Sequence, residues 1–270
     1  MKNKNDNNKH KTHNKMKKTI LFALVAIMAI SITTPACCVN FDGNDDDDNR
    51  FYFESYSGST EQRDVASFNR LKVSHALVVN VVQGDEQSVV VKADASVIDK
   101  IRTEVSDGVL KVYVDDNWVN KTFKNKYHKV IIDIVVPELT ALDASGASDV
   151  KASGFKNETF TVKASGASNV ILDDIIVSGV TSFEASGASH VKAYGESEKV
   201  IIKATGASNV ASRNFETSVA DVQASGASDV DVTANDEIRI NCSGASDVNY
   251  YGHPKIVDVN TSGTSDVSGH

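Results

Sequence analysis

The stretch Ala144–Val150, which reads ASGASDV, decides the fold because the same heptapeptide returns throughout the second half of the chain. Its glycine, Gly146, is the first of seven, and successive glycines are 20, 21, 19, 20, 18 and 19 residues apart. A nearly fixed period of this length is the signature of a repeat architecture, in which each repeat stacks on its neighbours. The other six copies are Ala164–Val170, Ala185–Val191, Ala204–Val210, Ala224–Val230, Cys242–Val248 and Thr261–Val267.

The residues that precede each heptapeptide alternate between apolar and polar. The residue two positions before each copy is always apolar, and the residue one position before is always polar. This period-two alternation predicts one half-buried β-strand per repeat. The apolar set is Leu142, Val162, Phe183, Ile202, Val222, Ile240 and Val259, and the polar set is Asp143, Lys163, Glu184, Lys203, Gln223, Asn241 and Asn260.

The polar set also predicts how the strands are arranged. In a parallel, in-register stack with a spacing of about 4.8 Å, equivalent side chains are neighbours, and adjacent like charges are destabilising. The set begins with an aspartate, a lysine, a glutamate and a lysine, as such a stack requires. Leucine-rich and five-residue repeat patterns are absent. We therefore predict an all-β fold, a right-handed parallel β-helix with coils of about 20 residues and seven repeats over residues 140–270.

Residues 64–139 precede the repeats and contain β-rich runs separated by turn signals. The runs are Leu77–Val82, Ser88–Ala93, Leu110–Val114 and Lys129–Val136. We expect this segment to be an N-terminal β cap, because the first coil would otherwise expose an unpaired strand edge. The expected strand Lys255–Val259 lies near the other, uncovered end, which offers a route to a homo-oligomer.

Residues 1–37 have the layout of a secretory leader. Lys17 and Lys18 precede an apolar run, Ile20–Ile32, that is too short to span a bilayer, and small residues follow it. A transmembrane anchor is the weaker alternative to a cleaved leader. Ala36-Cys37 resembles a lipoprotein processing site, so the leader is removed either by simple signal cleavage or with lipidation at Cys37, for which Cys38 is a competing position. The lysine- and asparagine-rich start also leaves Met16 open as the first residue.

Residues 38–63 are expected to form an acidic, flexible spacer. The run Asp45–Asp48 cannot pack against a core and should be solvated and extended. The favoured interpretation is a linker that holds the folded domain off a membrane. The alternative is an export tag, in which acidic residues behind a lipidated cysteine direct the protein to the cell surface.

Charge and cysteine content exclude several classes of protein. The formal net charge is −8, but residues 1–37 carry seven lysines and one aspartate, so the remainder has a net charge of −14. This balance argues against a nucleic-acid partner. The three cysteines match no disulfide framework and no zinc spacing. Cys242 replaces the usual alanine at the first heptapeptide position, and we expect it to be a small core residue.

The sixth heptapeptide position is the candidate binding position. Stacked coils would align these side chains into a ladder that either faces a ligand or forms turns. Oxygen ligands in a row suit Ca²⁺, but Asp and Asn at a corner commonly cap their own backbone, so we expect neither a metal nor a cofactor. The ladder comprises Asp149, Asn169, His190, Asn209, Asp229, Asp247 and Asp266.

An enzyme is the least favoured class, and we expect no catalytic residues. Parallel β-helices include polysaccharide-degrading enzymes, which need clustered carboxylates or a basic group beside a sugar groove. The repeats contain only two arginines, Arg213 and Arg239, and no tryptophan, and His190 is an isolated variant of an Asp/Asn position. Fold analogy alone therefore supports catalysis.

Several segments outside the repeats carry a family resemblance: FNRLKV at Phe68–Val73, VVQG at Val81–Gly84, DGVL at Asp107–Leu110 and VVPEL at Val135–Leu139. Together with the SGAS repeats they make residues 64–270 resemble the putative autotransporter adhesin, head GIN domain family. The resemblance implies an exported β-helical module that mediates adhesion, and it supplies no catalytic residue.

These observations predict an exported, non-enzymatic envelope or surface protein with an adhesin-like binding role. The alternatives are a structural or self-assembling envelope protein and, less favoured, a carbohydrate-active enzyme. The expected partner is a protein or glycan of the surface or envelope, and the membrane is reached through a lipid on Cys37 if that residue is modified. The expected location is the outer membrane or cell surface as a lipoprotein, otherwise the periplasm.

Overall fold

The computed structural model describes residues 58–115 and 129–270. The parallel β-helix that the repeats predict is confirmed: the protein is nearly all strand, with a β-solenoid of about six turns and coils about 20 residues apart. The leader, both candidate lipidation cysteines and residues 38–57 of the expected spacer lie outside the described residues. Within the described ranges no helix is long and apolar enough to cross a membrane.

Eighteen strands and one 3₁₀ turn, Ile98–Lys100, make up the described secondary structure. The strands are β1 Ser59–Gln62, β2 Arg70–Val73, β3 Val78–Gln83, β4 Ser88–Ala93, β5 Ile101–Ser106, β6 Val109–Val114, β7 Ile131–Val136, β8 Ala141–Ala144, β9 Asp149–Ser153, β10 Lys156–Ala164, β11 Asn169–Ala185, β12 His190–Gly206, β13 Asn209–Gly226, β14 Asp229–Thr233, β15 Glu237–Gly244, β16 Asp247–Tyr251, β17 Ile256–Gly263 and β18 Asp266–Gly269.

Each coil of the repeat region has two main strand segments joined by the heptapeptide corner. The segments before the corner pair in parallel to form the first face, from residues 141–144 to 256–261. The segments after the corner form the second face in the same way, from residues 149–153 to 266–269. A shorter third face follows in the middle coils, at residues 156–157, 175–177, 195–197 and 214–217, and register shifts separate it from its neighbours.

The order of the first coils in space differs from their order along the chain. β2 pairs in parallel with both β6 and β8, and β3 pairs in parallel with both β7 and β9. The coil formed by β2 and β3 is therefore inserted between the later coil of β6 and β7 and the first heptapeptide repeat. Its corner stacks on the repeat, since Ala147 N donates to the carbonyl of His75 at 3.1 Å.

The interior is filled by inward-facing side chains from all the faces. Val, Ile, Leu and Ala dominate, as the composition suggests, but four phenylalanine rings are also fully buried: Phe155, Phe160, Phe183 and Phe215. Phe183 and Phe215 meet edge to face with ring centroids 5.4 Å apart. Such aromatic pairs fill the wider parts of the cross-section and add to the apolar burial.

Antiparallel strands close the N-terminal end of the stack. β4 covers the edge of β7, β5 covers the edge of β6, and β1 covers the far edge of β4. β4 and β5 lie within residues 64–139, the segment for which the sequence predicts a cap, whereas β1 lies within residues 38–63, which the sequence assigns to a spacer. β5 and β6 are joined by Asp107-Gly108, both at positive φ, which is the turn chemistry expected for a tight hairpin.

Candidate functional site: the outer faces of the solenoid

The glycine of the heptapeptide corner has a structural role. Gly187 has a φ of 75°, and a Cβ at this position would lie 2.7 Å from the carbonyl oxygen of Gly166 in the preceding coil. The same carbonyl accepts a hydrogen bond from Ala188 N at 2.8 Å. Only glycine combines this backbone conformation with so close an approach of the next coil.

The fifth heptapeptide residue forms a buried serine ladder inside the corner. Ser189 Oγ accepts a hydrogen bond from Ser186 N and donates one to the carbonyl of Ala164 in the preceding coil, both at 3.1 Å. Its counterparts from Ser148 to Ser246 are also buried. Closing the turn and joining adjacent coils therefore accounts for the small residues of the SGAS motif, and no ligand is needed to explain them.

The sixth heptapeptide position places its side chains in one column along the second face, here called the polar column. Backbone pairing sets Asp149 beside Asn169, Asn169 beside His190, and continues in register to Asp266. Asn169 Nδ2 donates to Asp149 Oδ1 at 2.8 Å, so neighbouring side chains can be in direct contact. All seven residues are exposed or half-buried. The structure thus brings every residue of the candidate ladder to one solvent-facing surface.

The C-terminal part of the polar column is acidic. Asp229, Asp247 and Asp266 occupy adjacent coils, and Asp231 lies beside them, where it accepts a hydrogen bond from Asn249 Nδ2 at 3.1 Å. Across residues 58–115 and 129–270, no group of three or more His, Cys, Asp or Glu side chains is placed to hold a metal ion. Ionised carboxylates accept hydrogen bonds only, so this surface suits partners rich in donor groups.

His190 is an uncharged member of the polar column at neutral pH. Burial lowers the pKa of its imidazole, and the nearby Lys192 lowers that pKa further. The neutral ring lies between two neutral amides, Asn169 and Asn209. The central part of the column, from Asn169 to Asn209, is therefore polar with little charge.

An aromatic group that the repeat pattern does not predict lies at the C-terminal edge of the second face. The Arg213 guanidinium lies 4.2 Å from the centroid of the Tyr251 ring, and Tyr251 stacks on His270 at 5.1 Å. The three residues are far apart in the chain, so no local motif identifies them. The Tyr250-Tyr251 pair in an aromatic-poor repeat region is the one signal that the sequence offers.

Several charges on the first face pair with one another. Lys163 Nζ lies 2.7 Å from Glu184 Oε2, and Lys72 Nζ lies 2.8 Å from Asp143 Oδ2. The predicted alternation of sign along this ladder is confirmed, and Lys72 of the inserted coil extends it by one member. Further along the face, Asp221 forms ion pairs with both Lys199 and Arg239.

Cys242 is a buried core residue, as its place in the repeat predicts. Burial raises the pKa of its thiol, and Sγ donates to the carbonyl of Ser246 at 3.1 Å. A protonated, buried thiol is a poor nucleophile. Cys242 therefore contributes packing to the corner.

A polar cavity of about 330 Å³ lies beside β1 and β4, lined by residues 62–65 and 87–89. Its one cationic side chain is already engaged: the Arg63 guanidinium pairs with Glu61 at 2.7 Å and donates to the carbonyl of Ile98 at 2.8 Å. The cavity has no cluster of acid–base or nucleophilic groups, and it lies away from the polar column.

The protein is a β-solenoid with a packed interior, tight glycine corners and columns of side chains along its outer faces. Solenoids of this kind present long, regular binding surfaces. The chain belongs to the putative auto-transporter adhesin, head GIN domain family, whose profile matches residues 67–254. Family membership confirms the resemblance seen in the sequence and implies an exported or surface protein. No curated protein matches the chain.

Solved structures share the fold at low sequence identity. A putative adhesin of Bacteroides fragilis matches with a TM-score of 0.69 at 17% identity over 78% of this chain and 96% of its own. A putative adhesin of Parabacteroides merdae matches with a TM-score of 0.58 at 16% identity over 78% and 95%. A putative lipid binding protein of Parabacteroides distasonis matches with a TM-score of 0.53 at 16% identity over 78% and 96%.

Proposed function

We propose that this protein is an exported, non-enzymatic, adhesin-like module that binds a surface protein or glycan through the polar column. The observation that carries the proposal is the C-terminal part of that column, where three stacked aspartates lie on the same face as the Tyr251 aromatic group. The corner residues are accounted for by stacking and several first-face charges by mutual pairing. The polar column is the repeated outward-facing feature that neither coil stacking nor ion pairing explains.

The chemistry of this surface suits a partner with repeated hydroxyl or amide groups. Carboxylate oxygens accept hydrogen bonds from such donors, and a tyrosine ring offers a flat apolar surface with a polar edge. Equivalent acceptors recur once per coil, at a spacing of about 4.8 Å. Contacts that are individually weak add together when one partner engages several of them at once.

A lipid ligand in the solenoid interior is disfavoured for this chain. The Parabacteroides distasonis neighbour is described as a putative lipid binding protein, but that similarity extends to the fold alone. In this protein the side chains of Phe155, Phe160, Phe183 and Phe215 and their aliphatic neighbours fill the interior. A lipid chain would have to displace packed core residues, and inserting extra groups into a close-packed core is destabilising.

The binding proposal is tested with arrays of defined glycans and of purified extracellular proteins. The test variant carries Asp229→Asn, Asp247→Asn and Asp266→Asn, which keep the side-chain shape and remove three charges. The control variant carries Glu158→Gln, Glu196→Gln and Glu216→Gln, which remove the same charge from exposed positions near or on the third face. We expect the wild-type protein and the control to bind, and the column variant to lose at least about tenfold in affinity. Binding to no probe, or equal binding by both variants, would refute the role of the column, and glycan turnover would refute a non-enzymatic role.

We also propose that the protein is anchored at the cell surface by a lipid on Cys37, with the part of residues 38–63 that precedes β1 as the acidic spacer between membrane and solenoid. The support is the sequence of the leader and the adhesin-like family. The test is fractionation and surface protease digestion of cells that produce the wild-type protein or the Cys37→Ala, Cys38→Ala variant. We expect protease to remove the wild-type protein from intact cells and the variant to be soluble. Protection and solubility of both would refute surface anchoring.

A further inference from the structure

The last coil exposes apolar side chains that occupy interior positions. Val257 continues the buried column of Ile238, and Val259 continues that of Ile240. Nevertheless Val257 is 46% exposed and Val259 is 41% exposed, and the adjacent Ile256 is 55% exposed. These are three of the four exposed large apolar side chains in the described part of the chain. The interior of the solenoid is thus open at this end in the described structure.

The backbone of this end is also available for pairing. Among the residues that the structure describes, β17 pairs only with β15, and β18 pairs only with β16. All eight residues of β17 are exposed. An open strand edge with apolar side chains is a ready template for another strand.

The opposite end of the stack has the reverse character. Its coil edges are covered by β4 and β5, and the outermost strands are short and polar. β1 reads STEQ, and β5 carries Arg102 and Glu104 on exposed positions. Polar and charged edge strands oppose strand addition. The described edge strands therefore oppose the placing of another copy's N-terminal end on the open C-terminal coil.

We propose that a second copy of this chain covers the open end, so that two molecules meet tail to tail about a two-fold axis with their β17 strands antiparallel. In the antiparallel pairing the inward-facing positions of β17 meet one another, because Val257, Val259 and Thr261 all continue interior positions of β15. A second copy thus supplies an open strand edge with the same exposed valines. Because the other end is capped, the association closes as a dimer instead of growing into a filament.

The size and the charge of the open end both fit a second copy of the chain. The terminal coil comprises about 20 residues, and stable specific interfaces use about 20–30 residues on each side. When the axis passes through Val259, each Val257 lies opposite Thr261 and each Asp258 lies opposite Asn260, so no like charges meet. An axis at Asp258 would place two carboxylates opposite each other, which is destabilising. The structure therefore favours the Val259-centred register.

The test is sedimentation velocity over a wide range of protein concentration, with the Cys37→Ala, Cys38→Ala protein so that a lipid cannot drive association. We expect a concentration-dependent species of twice the chain mass. Val257→Lys should weaken the dimer at least tenfold, because it places two charges in a buried apolar contact. Val180→Lys is the matched control: Val180 is also an exposed valine, at 38%, but it lies on the side of the solenoid and should have no effect.

Hydrogen exchange of β17 provides a second, independent measurement. We expect its amides to gain protection as the protein concentration rises, and the Val257→Lys variant to lose that gain while its circular dichroism stays unchanged. A monomer at all concentrations, a dimer that survives Val257→Lys, or growth beyond the dimer would each overturn the proposal. The dimer does not depend on the proposed binding role, and the Asp229→Asn, Asp247→Asn, Asp266→Asn variant should still form it.

Discussion

Replacing Gly187 by alanine tests whether close backbone stacking at the corner stabilises the solenoid. Gly187 lies in a middle coil with a φ of 75°, a conformation that costs an alanine about 1–2 kcal/mol. The new Cβ would also lie 2.7 Å from the carbonyl oxygen of Gly166 and 3.2 Å from its nitrogen. Backbone atoms cannot move away as a flexible side chain can, so the coils must separate locally. Such overpacking costs about 1–3 kcal/mol more.

Gly154→Ala is a matched control for this prediction. Gly154 has a φ of 78°, but a Cβ there would have no neighbouring atom within 4 Å, so it reports the cost of the backbone conformation alone. We expect urea unfolding followed by circular dichroism to show a loss of about 2–5 kcal/mol for Gly187→Ala and about 1–2 kcal/mol for Gly154→Ala. Equal losses in the two variants would refute the argument that stacking at the corner requires glycine.

Three further predictions concern charge, protonation and the core thiol. Lys163→Glu places an acid between Asp143 and Glu184. It should lower the unfolding free energy by about 0.5–1 kcal/mol at low salt and by less at high salt. A loss that does not depend on salt would contradict a charge effect. Because the pKa of His190 is lowered in the folded protein, its contribution to stability is complete above the ordinary value of 6.5 and is lost as the pH falls below it. His190→Asn should flatten the fall in melting temperature with decreasing pH, and an unchanged slope would count against this explanation. Cys242 should react with an alkylating reagent only after unfolding, because it is buried and the pKa of its thiol is raised. Mass spectrometry measures the labelling. Rapid labelling of the folded protein would show that the corner opens.

The repeat region was predictable because its information is local and periodic. Each heptapeptide carries its own glycine for the corner, its own buried serine and its own alternating strand, and each faces a neighbour with the same pattern. In-register stacking then follows, and with it the first-face ion pair between Lys163 and Glu184. The candidate ladder was found from the same periodicity, since a residue that recurs once per coil must lie in one column.

The inserted coil of β2 and β3 was not predictable in this way. Its corner has His75 where the repeats have glycine and Leu77 where they have the buried serine, so the motif is hidden. His75 nevertheless takes a φ of 72°, and its Nδ1 accepts a hydrogen bond from Val114 N at 3.3 Å. The side chain fits because the edge of β6, and not another glycine corner, lies next to it. That tolerance is visible only when the neighbouring coil is known.

By itself the sequence determined the repeat period, the parallel direction of the strands, which residues face inward and outward, and the composition of the polar column. All of these features recur about every 20 residues. The tertiary structure decided what depends on contacts between distant segments. It set the reversed order of the first coils, where Ser145 N bonds to the carbonyl of Val73, and it assembled the Arg213, Tyr251 and His270 group. It also decided which end of the stack is covered, because burial at an interior position depends on whether another coil lies above it, and no local pattern records that.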